Sequence, residues 1–166
     1  MEIYLNFDGV LHPNQVLYED GCTPALLTPE HRAFEHADLL NATLSSHDDV
    51  KIVLNTWWTF YLGLDNCKDM LPKALAARIV GSTIQHASAY AGMPSRQWEA
   101  EKHIAREQNR RCVVLDHSIA RYRRALTPAL LLVDLYEGLG NQSALRSLIR
   151  RLQLFERSDC CRAKYI

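Results

Sequence analysis

Five short apolar runs separated by helical patterns constrain the fold of this 166-residue chain more than any other feature. Most of these runs are near-continuously apolar, which is typical of strands buried on both faces of a sheet. The predicted strands are Glu2–Asn6, Val50–Asn55, Ala77–Thr83, Cys112–Asp116 and Ala129–Leu135. Strands that alternate with helices predict an α/β fold of three layers, in which a parallel sheet lies between helices.

The predicted helices lie between these strands. Thr28 followed by Pro29 and Glu30 is typical of a helix start, with the threonine as the N-cap and the proline in the first turn. Apolar residues at helical spacing follow, namely Phe34, Ala37, Leu40 and Leu44. The other predicted helices are Cys67–Leu75, a segment from near Pro94 to about Asn109, and a segment from near Asn141 that carries Leu145, Leu148 and Leu152.

The length favours one domain, which we predict to span residues 1–156, with a C-terminal tail at 157–166. Residues 11–49 separate the first two strands and contain one predicted helix and a short connection. Because this is too little for a sizeable cap, the sequence predicts a minimal cap or none, and an open site. An open site suits a nucleic-acid end or a phosphoprotein better than a small enclosed metabolite.

Charge is distributed unevenly, although the formal net charge is zero. Counted along the sequence, residues 1–50 hold nine acids and one base, and residues 51–166 hold 18 bases and ten acids. The asymmetry is compatible with a side that faces a polyanion. The simpler interpretation, which we favour at this level, is that the two halves attract each other.

Cysteine spacing and hydropathy argue against a zinc site, a signal peptide and a membrane span. The five cysteines have no C-x-x-C spacing of a zinc site, and the chain begins with a strand pattern rather than a signal peptide. No apolar run approaches the roughly 18 residues that a membrane span needs. We therefore expect a reduced, cytoplasmic protein with no membrane partner, and the oligomeric state stays open.

Polar residues follow the predicted strands at their carboxyl ends, where parallel sheets bind ligands. They are Asn6 to Asp8, then Asn55 and Thr56, then Asp116 and His117. The segment Asn6-Phe7-Asp8-Gly9 differs by one residue from an Asp-x-Asp-Gly strand end. A strand end of that kind brings two carboxylates to one turn, because the intervening side chain points into the core and the glycine permits the turn. Such a pair with Mg²⁺ suits phosphoryl transfer, with one carboxylate as nucleophile and the other as general acid and base.

Five segments, in order, resemble the haloacid dehalogenase (HAD) superfamily, in particular the small, nearly capless HAD domains of RNA-repair and polynucleotide-phosphatase proteins. The segments are LNFDGVLHP (Leu5–Pro13), IVLNTWW (Ile52–Trp58), ARIVGSTI (Ala77–Ile84), VVLDH (Val113–His117) and LLLVDLYEGL (Leu130–Leu139). The resemblance covers almost the whole chain. It implies a Rossmannoid α/β/α fold and a Mg²⁺-dependent phosphatase that acts on a phosphorylated substrate through an aspartyl-phosphate.

The resemblance also implies roles for the matching residues. Asp8 would be the general acid and base, and its backbone carbonyl a Mg²⁺ ligand. Asp116 would be a side-chain ligand of the metal. Thr56, or Asn55 beside it, would bind the phosphate, and His12 fits the family string as a further substrate contact.

The cation of the site would be Arg96, which lies 116 − 96 = 20 residues before Asp116, or alternatively Lys102. Each role has a structural alternative, since Asp8 could only form a turn and Asp116 could only cap a helix. Arg96 could be an ordinary surface residue. Nucleobase stacking by Trp57 and Trp58 is a weaker interpretation than core packing. The cluster Arg121, Arg123 and Arg124 is either a guide for a polyanion or a solvated helix face.

Asn6 stands where the resemblance implies the nucleophilic aspartate. An amide is a poor nucleophile without charge, so we predict that the covalent route is closed or strongly impaired. Mg²⁺ binding by Asn6, Asp8 and Asp116 is predicted to be weak or absent. Asn6 is either an introduced substitution, a natural change in a protein that lost catalysis but kept binding, or a sign of different chemistry. His117, in place of a second aspartate, favours the natural change.

Two functions of different classes follow from these residues. The first is an HAD-type phosphatase with a compromised nucleophile. The second is a non-catalytic module, a pseudophosphatase that binds phosphate or nucleic acid. A structural interaction domain without a ligand is the third and weakest interpretation.

Overall fold

The computed structural model describes residues 1–20, 22–87, 92–108 and 111–162, with side chains up to residue 156. A five-stranded parallel sheet forms its centre, with the strands in the spatial order β5-β4-β1-β6-β7. These strands are β1 (Glu2–Leu5), β4 (Lys51–Leu54), β5 (Ile79–Ser82), β6 (Cys112–His117) and β7 (Leu130–Val133). All five predicted strands are therefore confirmed, as is the parallel α/β class.

Helices cover both faces of the sheet. They are α1 (Ala37–Leu44), α2 (Trp58–Leu62), α3 (Leu64–Asp69), α4 (Lys73–Ala76), α5 (Arg96–Arg106) and α6 (Gln142–Arg162), with 3₁₀ turns at Arg124–Ala129 and Gly138–Gly140. On one face, Ile3 and Leu5 pack in a core with residues of α1, α4 and α6. On the other face, Tyr4 packs with Ala100 and Ile104 of α5. This alternation within β1 explains why its sequence is apolar at each of the three positions Ile3 to Leu5.

Two predicted helices have to be corrected. The helix expected from Thr28 begins only at Ala37, because Phe34 has a φ of 61° and left-handed backbone cannot continue an α-helix. The predicted helix Cys67–Leu75 is two short helices, since Pro72 lies between α3 and α4 and lacks the N–H that a continuous helix requires.

The cap between β1 and β4 is minimal, as predicted. It contains a hairpin that the sequence patterns did not indicate. Its strands, β2 (Val16–Leu17) and β3 (Ala25–Leu26), have two residues each and pair antiparallel. Strands of this length are too short for a period-2 pattern.

The last two helices, α5 and α6, end at other residues than the sequence predicted. Helix α6 continues to Arg162, beyond the predicted domain end at residue 156. Helix α5 ends at Arg106, and its predicted end near Asn109 lies outside the described residues, as do residues 163–166 of the predicted tail. Within the described part of the chain, no helix combines the length and apolar character needed to cross a membrane.

Candidate functional site

The register of the sheet places three polar residues side by side, each directly after the same row of paired leucines. Leu5 lies opposite Leu54 of β4 and opposite Leu115 of β6. The residue after each of these leucines is Asn6, Asn55 and Asp116, respectively. The three residues are completely buried, at the carboxyl edge where the sequence predicted a site.

Asn6 is held by two hydrogen bonds of its amide nitrogen. Its Nδ2 donates to the backbone carbonyl of Asp8 at 2.7 Å and to Asp116 Oδ1 at 2.9 Å. The reverse orientation of the amide would place its oxygen against two acceptors, so these neighbours determine the orientation. Asn6 Oδ1 is buried without a hydrogen-bond partner among the described residues. The residue at the nucleophile position is thus a fixed hydrogen-bond donor.

Arg96 is the cation that reaches the site. Its Nη1 lies 2.7 Å from Asp116 Oδ2, and the two side chains are 3% and 0% exposed. Of the two residues considered for this position, Lys102 is 56% exposed and pairs with Glu99 instead. The side chain of Arg96 is drawn inward because α5 begins at this residue and packs on the sheet through Ala100.

The Arg96 guanidinium also donates from Nη2 to His117 Nε2, at 3.2 Å. Burial lowers the pKa of His117, and this effect outweighs the opposing charge of Asp116. A neutral imidazole that accepts at Nε2 carries its proton on Nδ1. His117 Nδ1 and Arg96 Nε are both buried without a partner among the described residues, so the network contains two unused donors.

Asp8 is enclosed by three donors. Trp58 Nε1 and His12 Nε2 lie 2.8 Å and 3.1 Å from its Oδ1, and the Tyr18 hydroxyl donates to its Oδ2 at 2.5 Å. Burial alone would raise the pKa of Asp8, but these hydrogen bonds outweigh it and hold the pKa below its usual value. Asp8 is therefore an ionised acceptor at neutral pH, which is the wrong protonation state for a general acid.

His12, which the resemblance implies as a further substrate contact, bonds to residues of the protein at both ring nitrogens. His12 Nδ1 accepts from the backbone N–H of Phe34 at 3.1 Å, so the Nε2 proton is the one that points to Asp8. Both ring nitrogens are engaged and the residue is completely buried. His12 positions Asp8 and has no group left for a ligand.

Gly9 allows the loop after β1 to turn against β6. Its φ is 69°, and a β-carbon there would lie 2.6 Å from His117 Cβ. The turn function predicted for this glycine is confirmed, and the close approach to His117 adds a second reason for its lack of a side chain.

Tyr18 and Tyr122 are the site residues that the sequence analysis missed. Tyr18 comes from the hairpin, and Tyr122 donates to Asp116 Oδ2 at 2.7 Å and accepts from Asn55 Nδ2 at 3.0 Å. Burial, followed by the neighbouring carboxylate, raises the pKa of both phenols. In the sequence, Tyr122 lies between Arg121 and Arg123. An aromatic residue within this basic cluster was the one feature that could have indicated its role. Arg121 and Arg123 precede the 3₁₀ turn at Arg124–Ala129 and do not form the α-helical face considered for them.

The side chains of the site are more enclosed than expected for a chain with a minimal cap. Asp8 is 3% exposed, Arg96 2% and Thr56 0%. Tyrosine side chains, not a cap domain, cover the two aspartates. Trp58 is core, as favoured from the sequence, although its indole also serves Asp8. Trp57 is half-buried and lies 5.2 Å from the Arg96 guanidinium.

Backbone donors remain unused at the ends of β1 and β4. Among the described residues, the N–H groups of Phe7, Asp8, Thr56 and Trp57 donate no hydrogen bond to the protein. The Thr56 hydroxyl accepts from the N–H of Trp58 at 3.3 Å. Buried N–H groups are seldom left unpaired, so this edge offers a set of donors that an external acceptor would satisfy.

The residues present do not fit the Mg²⁺ ion that the resemblance implies. Two of the oxygens that would bind it, the Asp8 carbonyl and Asp116 Oδ1, each accept an N–H of Asn6. Asp116 Oδ2 accepts from Arg96 and Tyr122. Mg²⁺ requires hard, charged oxygens in octahedral geometry. In the described part of the chain, no three His, Cys, Asp or Glu side chains are grouped to hold a metal.

Comparison with protein families matches residues 2–144 to the HAD domain in Swiss Army Knife RNA repair proteins. Comparison with curated proteins and with solved structures gives no significant match. The matched segment runs from the start of β1 into the first turn of α6, and therefore includes every residue of the site described above. The chain belongs to the family of HAD domains found in Swiss Army Knife RNA repair proteins.

Proposed function

We propose that this chain binds the terminal phosphate of a polynucleotide at the carboxyl edge of its sheet, without hydrolysing it through an aspartyl-phosphate. The observation that carries the proposal is the set of unused donors at the ends of β1 and β4. The backbone N–H groups of Phe7, Asp8, Thr56 and Trp57 have no acceptor in the described protein. A phosphate has several acceptor oxygens, and donors of this kind bind oxyanions.

The absence of the covalent route follows from Asn6 and Asp8. Asn6 presents N–H groups, not a nucleophilic oxygen, to its neighbours. Asp8 is kept ionised by its three donors, so it cannot supply a proton to a leaving group. The first step of an aspartyl-phosphate reaction therefore lacks both its nucleophile and its proton donor.

A polynucleotide is favoured as the ligand by the surface beside the site. Trp98, two residues after Arg96 on α5, is 45% exposed. Arg123 lies 4.5 Å from the ring centroid of this tryptophan and Lys102 lies 5.6 Å from it. Exposed aromatic rings flanked by cations are typical of surfaces that stack single-stranded bases. The RNA-repair setting of the family agrees with such a ligand.

Phosphate recognition is tested by a pair of oligonucleotides of one sequence, one with a 3′-phosphate and one with a 3′-hydroxyl. Because hydrogen bonds to a charged group contribute about 1.5–3 kcal/mol, we expect the phosphorylated strand to bind about tenfold tighter or more. Fluorescence anisotropy measures both affinities. Equal affinities would refute the phosphate site.

The variant Trp98→Ala separates stacking from phosphate recognition in the same assay. Loss of one stacked base costs about 1–3 kcal/mol, and it should weaken both oligonucleotides equally. The ratio of the two affinities should stay unchanged, because the phosphate donors are intact. Trp98→Phe, which keeps an aromatic face, should lose less.

A second candidate function is a phosphatase silenced at Asn6 alone. It is favoured by the presence of Asp8, Thr56, Arg96 and Asp116 at the positions that the resemblance implies. We expect neither this chain nor Asn6→Asp to release phosphate from a 3′-phosphorylated oligonucleotide with Mg²⁺, because Asp8 lacks the proton that the alkoxide leaving group needs. A colorimetric phosphate assay measures turnover.

Asn66→Asp, the same change at an exposed position of α3, is the matched control for protein quality and contaminating phosphatase. Turnover by Asn6→Asp above this control would establish the second candidate in place of the first. Retained phosphate-dependent binding without turnover would support the binding function.

A further inference from the structure

We propose that this site binds an oxyanion without a divalent metal ion, because Asn6 and His117 remove the negative charge that the metal would balance and Arg96 is left as its built-in cation. The inference rests on the proposed phosphate-binding function, which it deepens. It begins with the disagreement described above, in which the oxygens of the implied metal site are already engaged by donors of the protein.

The positive charge of the site lies on Arg96, directly against Asp116. Arg96 Nη1 contacts Asp116 Oδ2 at 2.7 Å and the backbone carbonyl of Asn55 at 3.3 Å. The guanidinium therefore neutralises the Asp116 carboxylate without a metal ion. Its burial reduces screening by water, so the neutralisation is stronger than for a surface pair.

The site has also lost negative charge. Asn6 and His117 are neutral side chains at two positions where the resemblance implies carboxylates. The charged side chains left at this edge are Asp8, Asp116 and Arg96. Two missing negative charges equal the charge of one missing divalent cation, so the site keeps its overall balance without the metal.

The site also holds unused donors. A metal supplies a site with positive charge and with contacts to phosphate oxygens. Here Arg96 Nε and His117 Nδ1 are buried donors without a partner in the described protein, and the backbone N–H groups at the ends of β1 and β4 are unused as well. N–H groups can therefore take over both contributions.

The inference is tested first on the unmodified protein. Affinity for the 3′-phosphorylated oligonucleotide is measured in a chelator and in Mg²⁺, with the ionic strength matched by NaCl because polynucleotide binding depends on salt. We expect the two dissociation constants to agree within about threefold, as the phosphate contacts are all N–H groups. Affinity about tenfold weaker in chelator would overturn the inference and leave phosphate binding intact.

A metal readout that needs no phosphate ligand separates the two proposals. Mn²⁺ is titrated into the free protein, and paramagnetic broadening of the Gly9 amide signal is followed by NMR. We expect no selective broadening of this signal compared with the amide of Leu152, which lies with Met1 at the opposite end of β1 from the site. Selective broadening would overturn the inference, whether or not phosphate binding is found.

The double variant Asn6→Asp/Arg96→Gln is the case in which we expect Mg²⁺ binding to appear. It restores a carboxylate and removes the built-in cation, so Mg²⁺ should raise its thermal midpoint while leaving that of the unmodified protein unchanged. A folded double variant whose thermal midpoint does not change with Mg²⁺ would count against the inference that the N–H groups of Asn6 and Arg96 keep a metal from this site. If this variant fails to fold, the Mn²⁺ titration still decides the question.

Discussion

Arg96→Gln is expected to lower the free energy of unfolding by about 3–5 kcal/mol, the usual loss when one partner of a buried ion pair is removed. Asp116 would remain as a completely buried carboxylate, with Tyr122, Asn6 and a backbone N–H as its donors among the described residues. These neutral donors do not compensate its charge. Since small domains are stable by about 5–15 kcal/mol, the loss should be visible as a large shift of the urea midpoint.

The control for this prediction is Lys102→Gln, the same class of change on the same helix. Lys102 is 56% exposed in its pair with Glu99, and exposed pairs contribute about 0–1 kcal/mol. The double variant Arg96→Gln/Asp116→Asn removes the uncompensated charge and should recover much of the loss. If the double variant is as unstable as Arg96→Gln, packing around the guanidinium, not charge, is what Arg96 supplies.

Gly138→Ala is expected to have the second large effect. Gly138 has a φ of 52°, and a β-carbon there would overlap the backbone carbonyl oxygen of Val10 and lie 2.9 Å from its carbonyl carbon. Left-handed backbone costs an alanine about 1–2 kcal/mol, and overpacking about 1–3 kcal/mol. We therefore expect a loss of about 2–5 kcal/mol in unfolding free energy, measured by urea denaturation.

The alanine side chain at position 138 would have to displace the backbone carbonyl of Val10. The substitution should therefore also disturb the site. Val10 lies two residues after Asp8, and its carbonyl accepts from Leu139 N–H at 2.9 Å. Gly81→Ala is the matched control, because no atom lies within 4 Å of its β-carbon. Alanine is favoured over glycine in a strand by about 0.5–1 kcal/mol, so this control should be neutral or slightly stabilising. Equal losses in both variants would contradict the steric argument.

The strands could be predicted because their signal is local. A run such as Val113–Leu115 is completely buried, and a short apolar run rich in β-branched residues favours a strand between two layers of helices. The helix at Thr28 could not be placed in the same way. Its N-cap pattern is overridden by a tertiary contact, since the N–H of Phe34 bonds to His12 while the backbone takes a left-handed conformation.

The candidate site could be predicted in part, for a related reason. Asn6, Asp8, Asn55, Thr56 and Asp116 follow strands, and parallel strands carry their ends to one edge. The tyrosines were missed because nothing near Tyr18 or Tyr122 in the sequence announces a carboxylate partner. Tyr18 and Asp8 are ten residues apart, and they meet through the hairpin.

The sequence by itself determined the parallel α/β fold, the edge that carries the site, and the loss of the nucleophile at Asn6. Each of these depends on side-chain type and on short-range periodicity, which a sequence states directly. Only the tertiary structure decided that Arg96 rather than Lys102 pairs with Asp116, and that the Asn6 amide faces the oxygens implied for a metal. Those outcomes depend on which atoms meet across 20 and 110 residues of chain. Burial then makes each unpaired charge costly enough to select one arrangement.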